Sequence, residues 1–186
     1  MTMGEARKQI KVSEDTRSRL RVLKKRNEKY DTVILKLLKK GEGNKEEGTM
    51  DEKIVYTYVS GDIFHEGHLA YLEAAKALGG ILIVGVLTDE AIMERKKAPV
   101  TKFPERLRLA NAIKAVDSAI AQAEYSPVNN IRLLKPDVVV ESTSHDETLL
   151  RDVRTCVNEI GGRIFVLPYY PEQSSSKIKE RILKLK

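Results

Sequence analysis

The 186-residue chain contains a single cysteine, Cys156, and no apolar run approaching the ~18 residues that a membrane-spanning helix requires. A lone cysteine forms no internal disulfide, and Cys156 has no local cluster of ligand residues. Packing inside a helix is therefore its expected role. The N-terminus carries no apolar stretch of the signal-peptide kind, so a cytoplasmic location is expected, with no membrane partner. No segment repeats. No cluster of histidines, cysteines and carboxylates has metal-ligand spacing, so no protein-built metal site is expected.

What is present is an ordinary apolar fraction of 41%, enough for a real core, and a net charge of +6 that is unevenly spread. Residues 1–48 hold 14 Lys and Arg against 8 Asp and Glu, which accounts for the whole excess. The remaining 19 basic and 19 acidic residues cancel. Such asymmetry predicts a separate N-terminal module.

Within that module, Lys8-Gln9-Ile10-Lys11-Val12 alternates polar and apolar residues as a half-buried strand does. Ser13 is placed to cap a helix carrying Leu20 and Leu23, and Asp31 a second one carrying Val33, Ile34, Leu37 and Leu38. One strand and two short helices are too small to bury a core alone. The arrangement resembles the ribbon-helix-helix fold, in which two chains pair their strands. That resemblance implies a homodimer or higher homo-oligomer, and DNA as a possible partner read by Gln9 and Lys11. Residues 1–40 are thus expected to form a dimerisation or DNA-binding module. Residues 41–53, glycine-rich and charged, are expected to be a flexible linker.

From Ile54 to the C-terminus, apolar runs alternate with helical periodicity. Ile54–Tyr58, Ile81–Thr88, Ala119–Ala121, Val138–Val140 and Ile164–Leu167 read as strands, with helices between them. This alternation predicts an α/β domain with a doubly wound parallel sheet, binding ligands at the carboxyl ends of its strands.

The first strand leads into Ser60-Gly61-Asp62-Ile63-Phe64-His65-Glu66-Gly67-His68, and a helix follows. Unpaired backbone N–H groups and the positive end of the helix dipole suit such a turn to phosphate. Gly67 permits close approach, and two imidazoles can donate to phosphoryl oxygens. The stretch resembles the HxGH motif of the Rossmann-like nucleotidyltransferases, with Asp62 three residues before His65 as in that signature. The resemblance is strongest to cytidylyltransferases acting on phosphocholine, phosphoethanolamine and glycerol phosphate, and to those linked to phosphonate synthesis. It implies transfer of CMP from CTP to a small phosphorylated or phosphonylated alcohol, with Mg2+ accompanying the triphosphate and pyrophosphate released.

The resemblance also implies site residues. His65, His68 and Lys96 are the expected catalytic groups. Lys96 stands for a mobile lysine-bearing loop in which Arg95 and Lys97 are adjacent alternatives. Ser60, Gly61, Asp62 and Gly67 belong to the signature turn. Arg106 matches an E-x-R or E-R arginine, and Lys114 with Asp117 an R-x-x-D segment. Ser174, Ser175 and Ser176 match a serine/threonine cluster opening the last helix and holding the β- and γ-phosphates. Two segments depart from the relatives: Tyr169 and Glu172 replace an arginine and a glycine, and residues 141–146 replace a GDDW-like sequence. Two alternatives stay open: an adenylyltransferase using ATP, and a DNA-binding regulator whose α/β domain senses a nucleotide.

Deleting residues 1–48 is expected to lower the oligomeric order and leave nucleotide binding intact, because every expected phosphate contact follows Val59. Light scattering of the two chains checks this, and a monomeric full-length protein would refute the ribbon-helix-helix reading.

Overall fold

Ile54–Val59 forms the central strand β1, buried along its whole length because both faces of a parallel sheet are covered by helices. The computed structural model describes residues 53–145, 147–170 and 172–185. The expected N-terminal module with Gln9 and Lys11, and the linker apart from Lys53, lie outside the described residues.

After β1 come α1 (Glu66–Lys76), β2 (Ile81–Leu87), α2 (Asp89–Met93), α3 (Phe103–Ala112), β3 (Ser118–Gln122) and α4 (Val128–Leu134). Then follow β4 (Val138–Ser142), α5 (Glu147–Glu159), β5 (Arg163–Leu167) and α6 (Ser175–Lys184). The five strands are all parallel, in the order β3-β2-β1-β4-β5. This is the Rossmann-like α/β sheet expected from the alternation. No helix among the described residues is long and apolar enough to cross a membrane.

Side chains alternate across the sheet, so each strand feeds two cores. On one face Tyr56, Tyr58, Ile83 and Val139 pack against α2, α4 and α5, where Cys156 is buried as expected. On the other, Val55, Leu82, Val84, Val86, Val138 and Val140 meet α1 and α3 through Leu72, Ala75 and Ala110. A fully buried side chain of this kind contributes about 1.5–3 kcal/mol of transfer free energy. Helix α6 buries none of its residues. Because the chain order reverses at β1, the loops after β1 and β4 leave toward opposite faces. A crevice opens between them at the carboxyl ends of those strands.

Two aspartates close the opposite, amino-terminal end of the sheet. Asp137 Oδ2 accepts from the Ile54 N–H at 2.8 Å, and Asp117 Oδ2 accepts from the Leu82 N–H at 2.8 Å and pairs with Lys76. Helix α1 starts one turn earlier than the leucine and alanine periodicity suggests. His65 itself is the N-cap, its Nδ1 accepting from the Gly67 N–H at 3.1 Å.

Gly85 in β2 makes room for a buried polar contact. Tyr56 Oη donates to Gln122 Oε1 at 2.7 Å across the strand, and a Cβ on Gly85 would lie 2.2 Å from that hydroxyl. Gly85→Ala is therefore expected to cost about 1–3 kcal/mol through overpacking. Tyr56→Phe, which removes the colliding oxygen, should recover part of the loss. Chemical denaturation of the single and double variants checks this, and a silent Gly85→Ala would contradict it.

Candidate active site

The turn after β1 is held in an uncommon backbone. Gly61 has φ 65°, and Ile63, a β-branched residue, has φ 55°. Such a conformation at a β-branched side chain persists only where the surroundings fix it. Asp62, between the two, supplies the fixing contacts. Its Oδ1 accepts from the N–H groups of Val100 and Thr101, each at 3.0 Å, and its Oδ2 from Lys179 Nζ at 2.6 Å. The Asp62 carbonyl also accepts a hydrogen bond from the Ser175 hydroxyl. Burial acts to raise the Asp62 pKa, but the Lys179 ammonium and the two N–H donors outweigh it and hold the carboxyl below its ordinary range.

Arg106 completes the frame from beneath. It is fully buried, with Nε donating to Thr101 O at 2.9 Å and one terminal nitrogen to Ser60 O at 2.5 Å and Leu87 O at 2.6 Å. Its other terminal nitrogen bonds Asp89 at 2.6 Å. The expectation of a phosphate contact by Arg106 meets a different placement: the guanidinium is spent on the ends of β1, β2 and the loop before α3. Lys114 is exposed on the segment leading to Asp117, at the amino-terminal end of the sheet and away from the crevice.

The other expected residues converge on the crevice. A cavity of about 510 Å³ is lined by Ser60, Asp62, His65, Gly67, His68 and Lys96 on the side of the turn and loop. Ser174, Ser175 and Ser176 line it from the start of α6. The rings of His65 and His68 lie with their centroids 4.0 Å apart and their planes tilted by 41°. A Cβ on Gly67 would lie 3.0 Å from both the His65 ring and the Tyr170 ring, so a larger residue there would push these rings outward. Ser174 caps α6 by accepting from the Lys177 N–H at 3.1 Å, and the start of the helix lines the cavity. In the loop, Lys96 and Lys97 both line the cavity, while the Arg95 guanidinium lies 4.9 Å over the Tyr125 ring.

Several lining residues were not among the expected site residues, although Tyr169 and His145 had stood out as departures from the relatives. Lys179 sits one turn into α6 and reaches the cavity, a position that the helical spacing from Ser175 would have shown. Tyr58, Tyr125, Tyr169 and His145 form an aromatic wall. They come from four separate segments, and nothing in their local spacing groups them.

Chemically, the turn side offers donors and cations to an anion, and the aromatic wall offers stacking and hydrogen bonds to an uncharged group. Among the described residues no three His, Cys, Asp or Glu side chains form a group that could hold a metal. Both Asp62 oxygens are already engaged, so a magnesium ion would be held through the phosphates of a bound nucleotide.

A family model described as cytidylyltransferase-like matches residues 60–181. The bifunctional protein HldE of Pseudomonas fluorescens is 37% identical over 139 residues, covering 72% of this chain and 28% of that protein. The chain thus spans little more than a quarter of the length of this curated relative. Among solved structures, a lipopolysaccharide core biosynthesis protein from Thermoplasma volcanium is 27% identical with a TM-score of 0.55. That match covers 65% of this chain and 98% of the other. A pantoate-beta-alanine ligase from Francisella tularensis, complexed with beta-gamma ATP and beta-alanine, shares the fold at 13% identity and a TM-score of 0.50. It covers 80% of this chain and 70% of that one.

Burial, then the neighbouring His65, lowers the His68 pKa from 6.5 to about 4, and burial also lowers that of His65. The unfolded chain therefore binds more protons than the folded one between about pH 6.5 and 4. Stability contributed by neutral His68 is complete above pH 6.5 and is lost as pH falls through that window, by at most about 3 kcal/mol. His68→Gln should flatten the fall in melting temperature between pH 7 and pH 5. An unchanged profile in the variant would show that His68 is not the titrating group.

Proposed function

This chain belongs to the cytidylyltransferase-like family of nucleotidyltransferases, and on that premise we propose that it transfers CMP from CTP to a small phosphorylated or phosphonylated alcohol. The observation that carries the reading is the convergence of the His65/His68 turn, Lys96 and the opening of α6 on one cavity. These are the groups that a triphosphate needs.

The acceptor's own phosphate oxygen attacks the α-phosphorus, forming one P–O bond. The bond to the bridging oxygen breaks, and its electron pair leaves with pyrophosphate. No protein nucleophile is required, so positioning and charge stabilisation do the catalysis. His65 and His68 donate to oxygens of the transferring and leaving groups. His68 does so as a neutral imidazole at pH 7, since its pKa is lowered to about 4. The Ser174 and Ser176 hydroxyls hold the β- and γ-phosphates with the first-turn N–H groups of α6, including that of Ser175, whose hydroxyl donates to the Asp62 carbonyl. Lys96, with Lys97 beside it, approaches from the loop. Ser60, Gly61 and Gly67 supply the close backbone, and Asp62 and Arg106 position it. Magnesium, when bound, neutralises phosphate charge and aligns the triphosphate.

Sugar phosphates join simpler phospho-alcohols as acceptors in this proposal, by analogy with the Thermoplasma relative named for lipopolysaccharide core biosynthesis. ATP remains the second reading of the donor, because the segment Glu141–His145 stands where relatives carry the GDDW-like sequence and its change removes one argument for CTP. A cytoplasmic enzyme, dimeric through its N-terminal arm and with DNA as a further partner of that arm, completes the proposal.

Pyrophosphate release with Mg2+ and either CTP or ATP, across a panel of phospho-alcohols and sugar phosphates, tests it. CTP should be turned over in preference to ATP. His65→Ala and His68→Ala should each lower turnover by about 10²–10³, the usual loss for one preorganised donor. Turnover with ATP alone would overturn the cytidylyl assignment. Nucleotide binding without pyrophosphate release under any pairing would favour the regulator.

A further inference from the structure

The segment that starts at the end of β4 departs from the relatives' pattern, and its residues are built into a cluster. Glu141 is fully buried, with Oε2 accepting from Tyr58 Oη at 3.0 Å and lying 2.5 Å from His145 Nδ1. Its Oε1 has no hydrogen-bond partner among the described residues. A buried carboxylate is costly to desolvate, and an apolar residue of similar size is often the more stable choice. Here one oxygen makes all the contacts, and both hold side chains that line the cavity. The other is left unsatisfied, which no purely structural role requires.

The consequence falls on His145. Its ring stacks on Tyr58 with a centroid distance of 4.9 Å and planes 15° apart, so both its tilt and its rotation are set. Burial first, and then the Glu141 charge, push the Tyr58 phenol far above its ordinary pKa, so this hydroxyl stays protonated and donates. A carboxylate behind Nδ1 makes that nitrogen the donor, so in a neutral imidazole Nε2 is the nitrogen that carries the lone pair. Nε2 makes no hydrogen bond to a described residue. Beside it on the same wall, Ser142 Oγ and Ser144 Oγ lie 2.9 Å apart. Ionised phosphate oxygens have no proton to give such a lone pair. A hydroxyl does, and it can also accept from a serine, which an amino N–H cannot.

We propose that His145 Nε2 accepts a hydrogen bond from a hydroxyl of a bound reactant, with Glu141 as the positioning residue that sets the ring. The assignment rests on the nucleotidyl-transfer reading. That reaction brings hydroxyls into the cavity on the ribose of the nucleotide and on the alcohol portion of the acceptor, and the chemistry is the same for both.

The test uses the full chain and pairs each reactant with an analogue lacking one hydroxyl. Calorimetric binding compares CTP with 2′-deoxy-CTP and 3′-deoxy-CTP, and ATP with its two deoxy forms. Steady-state kcat/KM compares glycerol 3-phosphate with 3-hydroxypropyl phosphate, which lacks the central hydroxyl. The wild-type protein is expected to lose about tenfold with one of these analogues, the usual loss for one hydrogen bond. His145→Phe, which keeps the stack on Tyr58, should lose about tenfold with the intact reactant and nothing more with the matching analogue. Glu141→Gln should behave alike, and the double variant should add little. His145→Gln, which can present an acceptor oxygen, should recover part of the discrimination, a rescue that loss of folding would not allow.

The analogue at which the loss disappears names the reactant. Equal use of every analogue by the wild-type protein, or unchanged discrimination in the variants, would overturn the assignment while leaving nucleotidyl transfer standing. Wild-type protein that binds neither CTP nor ATP would instead remove the nucleotidyl-transfer reading, and this assignment with it.

Discussion

The carboxylate of Asp62 is the constraint on which the cavity depends. One side chain joins the turn after β1, the loop before α3 and the last helix, through two backbone N–H groups at 3.0 Å and the Lys179 ammonium at 2.6 Å. Hydrogen bonds to an ionised acceptor are worth about twice those between neutral groups, and burial strengthens them further. That strength is what keeps Ile63 at φ 55°, a conformation an unsupported β-branched residue would leave. Arg106 performs the complementary task with opposite charge, gathering carbonyls that would otherwise be buried without donors. The turn and helix start that line the cavity therefore sit on a frame whose own charges are consumed internally.

This division explains why basic residues close in sequence do different work. Arg106 is wholly buried and bonded to Thr101, Ser60, Leu87 and Asp89, whereas Lys96 and Lys97 line the cavity from an exposed loop. Lys179 lies between the two cases: it lines the cavity and is paired with Asp62 in the structure described here. The same logic separates the histidines. His65 spends Nδ1 on capping α1, and His145 spends Nδ1 on Glu141, so each imidazole is held by one nitrogen and offers the other.

Much of the architecture could be read from periodicity alone. The apolar runs at Ile54, Ile81 and Val138 became central strands because a parallel sheet covered on both faces admits little else. The helices over Val128–Leu134 and Glu147–Glu159 follow the same rule from their apolar spacing. The grouping of residues on one side of the cavity was legible too. His65, Gly67 and His68 lie within one turn, as do Ser174, Ser175 and Ser176, so local geometry alone brings each set together.

Tertiary structure alone decided the rest. Arg106 and Lys114 carry similar charge on adjoining segments, yet one is sealed beneath the turn and the other lies exposed toward the far end of the sheet. The difference is set by which strand ends each segment meets. Tyr58 and Glu141 are separated by 83 residues and bond only because β1 and β4 are neighbours in the sheet. A sequence states spacing along the chain. Contacts between carboxyl ends of strands depend on strand order, which the parallel crossovers fix only when the whole sheet has closed.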